Sequence, residues 1–210
     1  MVMITEYGAD PNINPRLAQA IATAKKAGFP KASIESAISR GQGLSASGAA
    51  LENIILEAII PPSVATVIDC QTDSKARTLQ DLRLVIRAHG GTVTPTSYLF
   101  EKKGKIVFER AEGIGVDEVL DEAVEAGATD IEEDEEGRLV VYTEPSQTKS
   151  TADGLNAAKG LKVESSEIVW DPKQDTMVQV NSEKEVKGVD NFLEAVQENP
   201  SVQGVYLNAA

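Results

Sequence analysis

The chain has 210 residues, is 41% apolar and only 4% aromatic, and carries 33 acidic against 20 basic side chains, a net charge of −13. That length buries one large core or two to three small ones. No apolar run approaches the ~20 residues of a membrane-spanning helix. A single cysteine, Cys70, closes no internal disulfide and a single histidine, His89, builds no zinc cluster, which together point to a reducing compartment.

Residues 1–13 are rich in Gly, Asp, Pro and Asn and read as a frayed start without an Arg-rich leader or signal peptide. Asn14-Pro15 reads as a helix cap followed by proline in the first turn, with Leu17, Ile21 and Ala24 as the apolar stripe and Gly28 as the stop. Pro30 opens a second helix carrying Ile34, Ala37 and Ile38, ended by Gly41. The small residues from Gly43 to Ala50 read as a flexible linker. Beyond it, 53–60 and 64–71 are β-branched runs split by Pro61-Pro62, the pattern of paired strands. Thr72 or Asp73 caps a helix over 74–89, with Leu79, Leu82 and Ile86 inward and Gly90-Gly91 at its end. Strands at 97–101 and 105–109 are expected around a Lys102-Lys103-Gly104 turn.

A second α+β stretch follows. Val116, Val119, Leu120 and Ala123 mark a helix, and 129–133 with 138–143 mark a hairpin. A helix near 147–159 and a strand near 162–170 complete it. The tail supplies a strand near 176–180, a helix with Val186, Val189, Phe192 and Val196, and a last strand at 202–207. Hairpin connections and intermixed helices favour α+β sandwiches over one doubly wound sheet.

Divided along the chain, the charge is uneven. Residues 1–50 carry five basic and three acidic side chains, 51–110 eight and seven, 111–172 four and seventeen, and 173–210 three and six. The acidity is concentrated between Glu112 and Asp171, and the run Glu-Glu-Asp-Glu-Glu at 132–136 reads as a solvated hairpin loop. Because charges are screened over about 8 Å at physiological salt, a basic surface elsewhere keeps its local potential.

Catalytic patterns are missing from the sequence: no GxGxxG fingerprint, no phosphate-binding GxxxxGK loop and no GxSxG nucleophile elbow occurs. Cys70 ends an apolar strand and reads as a packed thiol, His89 as a charge at a helix C-terminus, and Trp170, Tyr98, Tyr142 and Tyr206 as core aromatics. No cofactor or metal is expected, and neither is enzymatic activity. Binding residues are easier to find. Arg83 and Arg87 stand one turn apart, flanked by Arg77 and Lys75, and Lys102, Lys103 and Lys105 follow. Arg16, Lys25, Lys26, Lys31 and Arg40 are scattered and largely unopposed in the helical stretch. Such cations suit phosphate contacts.

The stretch NPRLAQAIATAKKAGFPKASIESAISRG (14–41) resembles the helical module of the YebC/PmpR family, which includes the mitochondrial translational activator of cytochrome c oxidase subunit I. The likeness continues through Glu57, TDSKART (72–78), HGGTV (89–93), SYLFEKKGKIVFE (97–109) and VQGVYLN (202–208). It implies three domains: a helical one over 1–50, an α+β domain over 51–110 plus 173–210, and an acidic α+β domain over 111–172 inserted into it. It also implies a non-enzymatic factor, either a DNA-binding transcriptional regulator or a ribosome-associated translation factor. Family members usually begin with a Lys/Arg-rich Gly-His-Ser-Lys-Trp-like segment not found here, so the chain is expected to start inside the first domain. Bacterial members typically carry a glycine-rich turn where this chain has Ala58-Ile-Ile-Pro-Pro-Ser-Val64, and asparagines are common at the places of Ser74 and Ala76. These departures favour a mitochondrial member: a monomeric matrix translation factor that promotes synthesis of respiratory-chain subunits. Its expected partners are the mitochondrial ribosome, ribosomal or messenger RNA, and basic ribosomal proteins facing 111–172, with no membrane partner. A bacterial cytoplasmic DNA regulator is the alternative.

Overall fold

The computed structural model describes residues 10–12, 14–45, 48–111 and 113–210, so most of the expected frayed start lies outside it. The fold is α+β, with six α-helices and two four-stranded antiparallel sheets among the described residues. The chain divides into two compact units, Met1–Thr94 with Val180–Val205, and Pro95–Gln179 with Tyr206–Ala210.

In the first unit, the Asn14 side chain accepts the Leu17 N–H at 3.1 Å and starts α1 (Pro15–Lys26). The chain turns through Gly28, at φ +80°, into α2 (Lys31–Gly41), whose N-cap is Pro30. The apolar stripes of the two helices and Phe29 line a shallow groove of about 380 Å³. The stretch expected as a linker closes on itself instead: Ser45 N–H donates to Ala49 O at 2.8 Å, and Leu51 N–H to Gly43 O at 2.8 Å.

β1 (Glu52–Ile60) and β2 (Val64–Thr72) form the expected hairpin around Pro61-Pro62, in register from Glu52↔Thr72 to Ile60↔Val64. β1 alternates, burying Ile54, Leu56, Ala58 and Ile60, while β2 sits inside the sheet and is buried through both faces. Then come α3 (Lys75–Ala88), the short β3 (Thr92–Val93) beside β1, and, after the second unit, α6 (Glu183–Gln197) and β8 (Val202–Leu207). The strand order is β3-β1-β2-β8. Leu82 and Ile86 of α3 and Val189, Phe192 and Val196 of α6 are buried. Thr78 joins them, while Leu79, expected inward, is only half-buried and Val186 is 44% exposed. A side chain at Gly91 would meet the Cγ2 atoms of Ile60 and Ile86 at 2.9 Å, so α3 can return close to β1 only over glycine.

The second unit opens with a one-turn 3-10 segment (Ser97–Leu99) and β4 (Phe100–Phe108), followed by α4 (Val116–Glu125), β5 (Ala128–Glu133), β6 (Leu139–Thr143), α5 (Thr148–Lys159) and β7 (Val163–Pro172). The order is β5-β6-β4-β7, and each neighbouring pair is antiparallel. Its core joins Ile106 and Phe108 to Val119, Ala123, Leu139, Val141, Leu155 and Leu161. Leu120, expected inward, is 46% exposed.

The turn expected at Lys102-Lys103-Gly104 is the middle of β4, one continuous strand. Gly104 is there because Thr143 and Thr148 approach its backbone too closely for any Cβ, and Phe100 to Phe108 pair with β7 along their length. Because β4 pairs with β6 and β7, residues 95–110 lie in the second unit rather than with 51–94, as do 173–179 and 206–210. The strand expected near 176–180 is a 3-10 turn (Gln174–Thr176) and a single bridge from Val178 to Ala209. The expected core aromatics lie nearer the surface: Tyr98 is 67% exposed, and Trp170, Tyr142 and Tyr206 are half-buried.

Candidate nucleic-acid interface

The twelve cations expected to meet nucleic acid fall into three groups. The first is on the helical hairpin. Lys25 and Lys26 end α1, where they suit the helix dipole; Lys31 opens α2 and pairs with Glu35 at 3.5 Å; Arg40 lies in the last turn of α2. The side chain of Arg16 lies outside the described residues.

The second group is on α3. The helix follows β2 through a hydroxyl link, with Thr72 Oγ1 2.8 Å from Thr78 Oγ1 and accepting the Ser74 N–H at 3.0 Å. Ser74 occupies the N-cap position, and Asp73 pairs with Arg77 at 2.8 Å. At the other end His89 Nδ1 lies 2.8 Å from Val85 O, and its ring meets Phe192 edge-on with centroids 5.8 Å apart. With both ends held and Thr78, Leu82 and Ile86 buried, the opposite face is turned to solvent. Arg77, Arg83 and Arg87 are exposed on it, Lys75 is exposed in the first turn on the side of the buried stripe, and Arg83 and Arg87 have no ion-pair partner among the described residues.

The third group is on β4, in the other unit. Strand alternation separates its members: Lys102 stands on the face of Gly104 and Ile106, and Lys103 and Lys105 on the opposite one. Lys102 Nζ lies 5.5 Å from the centre of the Trp170 ring, its cross-strand partner. Lys103 is held at 2.6 Å by Asp171 and 3.7 Å by Glu101, over the Tyr142 ring. The hydrogen bond to Asp171 raises the Lys103 pKa above the ordinary lysine value. Lys102 and Lys103 border an open groove of about 490 Å³ whose other lining includes Glu101, Asp130 and Glu144, a poor seat for phosphate.

Elsewhere in the second unit carboxylates dominate. The loop between β5 and β6 is clasped by Arg138, which pairs with Asp134 at 2.7 Å, Glu164 at 2.9 Å and Glu136 at 3.3 Å. Backbone and guanidinium donors of Arg138 hold the Asp134 carboxyl below its usual range. Lys159 does the same for Glu122 at 2.8 Å. In all, this unit carries nine cations against twenty carboxylates, and the first unit eleven against thirteen. Cys70 is fully buried in β2, and burial pushes its thiol up to about 12. No group of three or more His, Cys, Asp or Glu side chains is placed to hold a metal among the described residues.

Two α3 residues escaped the charge count: Gln80 and Leu84, both exposed, Leu84 by 58%. They lie on the helical line from Arg77 to Arg87, a spacing visible in the sequence once the helix is drawn.

The model for the TACO1/YebC second and third domain matches residues 51–209, and that for the TACO1/YebC N-terminal domain matches residues 1–44. A protein of Persephonella marina named "probable transcriptional regulatory protein" is 35% identical over 210 residues, covering 99% of this chain and 82% of its own length. One of the same name from Aquifex aeolicus is 36% identical over 204 residues, covering 96% and 80%. A crystal structure of a conserved hypothetical protein from Aquifex aeolicus superimposes with a TM-score of 0.70 at 34% identity, covering 99% of this chain and 84% of that one. These relatives are bacterial proteins named as regulators, which favours the bacterial type over the expected mitochondrial one. The chain belongs to the TACO1/YebC family.

Proposed function

We propose that this chain is a regulator of gene expression that binds DNA through its first unit. The observation that carries this reading is the outward face of α3, where Arg83 and Arg87 stand exposed one turn apart without a carboxylate partner among the described residues. Guanidinium groups so placed form bidentate contacts with phosphate. The names of the bacterial relatives support the same reading, which puts the protein in a bacterial cytoplasm. Lys25, Lys26, Lys31 and Arg40 add cations in the same unit, and the second unit, with its surplus of carboxylates, is a surface for basic protein partners.

Double reversal Arg83→Glu and Arg87→Glu tests it, with a labelled duplex followed by fluorescence anisotropy at 50 and 200 mM salt, conditions chosen as about those over which phosphate-driven binding changes most. Wild type should bind more weakly at the higher salt, and the variant should lose at least about tenfold in affinity at the lower. Unchanged binding removes α3 from the interface.

A second reading, a translation factor on the mitochondrial ribosome or its RNA, is supported by the Pro61-Pro62 turn, which stands where bacterial members are expected to carry glycines. Crosslinking in cells and sequencing the attached nucleic acid separates the two: ribosomal or messenger RNA favours the second, chromosomal DNA the first.

A further inference from the structure

The charge count on α3 overlooks the order of residues along its outward face. Arg77, Gln80, Leu84 and Arg87 recur at i, i+3, i+7 and i+10, which keeps them on one line of a 3.6-residue helix. All four are exposed. Leu84 contributes nothing to the core beneath, which Thr78, Leu82 and Ile86 fill from the other side of the helix. Asp81 flanks the line on one side and Arg83 on the other.

We propose that α3 is a recognition helix that enters the major groove of B-form DNA, with Gln80 and Leu84 reading A·T base pairs and the arginines gripping the bordering phosphates. This rests on the DNA-binding reading above and deepens it. The chemistry fits residue by residue. A glutamine amide pairs bidentately with the N6 and N7 edge of adenine, and an apolar side chain packs on the thymine methyl group. The helix with its side chains is about 10–12 Å across, which fits a major groove about 12 Å wide. α3 therefore lies along the groove with Gln80 and Leu84 towards the bases, while Arg77 and Arg87, which diverge to opposite sides of that line, reach the bordering phosphates. Arg83 extends the grip along one flank, and Asp81 repels phosphate from the other, which fixes the helix orientation in the groove. The Arg77–Asp73 pair is exposed, and such pairs yield readily to a phosphate. A-form RNA has a major groove too deep and narrow for a helix, so of the two duplexes the one this helix can enter is DNA.

The test is selection from a randomised duplex library with the full chain, followed by affinity measurements for wild type, Gln80→Ala and Leu84→Ala, and a competition with double-stranded RNA. Both substitutions are at exposed helical sites where alanine is well tolerated, and circular dichroism confirms the fold. Wild type should select a site containing adenine or thymine. Each variant should lose preference at one position by about tenfold and keep wild-type affinity for unrelated duplexes. DNA binding without any sequence preference, preference retained in both variants, or equal binding of double-stranded RNA overturns the recognition role while leaving a phosphate-binding α3 intact. Failure to bind any duplex DNA overturns this inference together with the functional reading beneath it.

Discussion

α3 and β4 hold the densest groups of cations in the chain, and the two backbones dispose of them differently. On α3 the 3.6-residue period gathers Arg77, Arg83 and Arg87 onto one solvent-facing side, and among the described residues only Arg77 has a carboxylate partner. On β4 the two-residue period splits Lys102 from Lys103 and Lys105, and neighbours then take up what remains: Trp170 of β7 faces Lys102, and Asp171 of β7 with Glu101 of β4 itself holds Lys103. A run of like charge in a sequence is therefore a surface only if the backbone period returns those residues to the same side and no opposite charge is paired across from them.

The division into two units is the setting for that contrast, and the largest expected effect tests it. Phe108 is fully buried in β4 at the centre of the second core. Phe108→Ala should cost about 3–5 kcal/mol and unfold the second unit first. Trp170, the only tryptophan, lies in β7 and reports that unit alone. Its fluorescence midpoint in urea should fall while the helical signal of α3 and α6 persists to higher denaturant. One shared transition for both probes would show that the units unfold as one body.

Next in size is Gly104→Ala. A Cβ there has no room between the Thr143 and Thr148 hydroxyl groups, so β4 or α5 must move, at about 1–3 kcal/mol. The same urea experiment measures it. If Gly104 were a turn residue at a hairpin tip, alanine would cost little and the strand assignment would fail.

A third test uses the pH dependence of the first unit. The Cys70 thiol has an ordinary value of 9.0, pushed up to about 12 by burial and by the neighbouring Asp69. Its proton stays bound in the folded state after the unfolded chain has released it. The stabilisation is complete below pH 9 and declines as pH rises towards 12. The stability difference between wild type and Cys70→Ala should therefore narrow over that range, and a constant difference would mean that the thiol is not desolvated.

Much of this fold was legible in the sequence, and the largest miss, at β4, has a tertiary cause. β1, β2, α3 and the β5–β6 hairpin lie within a residue or two of where alternation, proline and caps put them, because those signals are local. The β4 error came from reading Lys-Lys-Gly as a turn. Gly104 answers instead to Thr143 and Thr148, thirty-nine and forty-four residues further along the chain, a tertiary constraint that no window around β4 contains. That reading also gathered Lys102, Lys103 and Lys105 into a cluster that the strand disperses. The α3 face was found because helical spacing alone creates it. Leu84 and Gln80 were passed over because a count of charge is blind to them.

The smallest expected effect is the one that the α3–β4 contrast most needs. Lys102→Gln with Lys105→Gln removes two cations, as many as the α3 reversal touches, from a strand where carboxylates already surround them. Lys103 is left in place because its ion pair with Asp171 braces β4 against β7. If phosphates meet the first unit only, affinity for a duplex at 50 mM salt should stay within about twofold of wild type and the salt slope should be unchanged. Each lost phosphate contact would otherwise lower the slope by about one. A drop matching that of Arg83→Glu with Arg87→Glu would mean that long-range potential rather than a positioned helix face governs binding, and the distinction between the two cation groups would collapse.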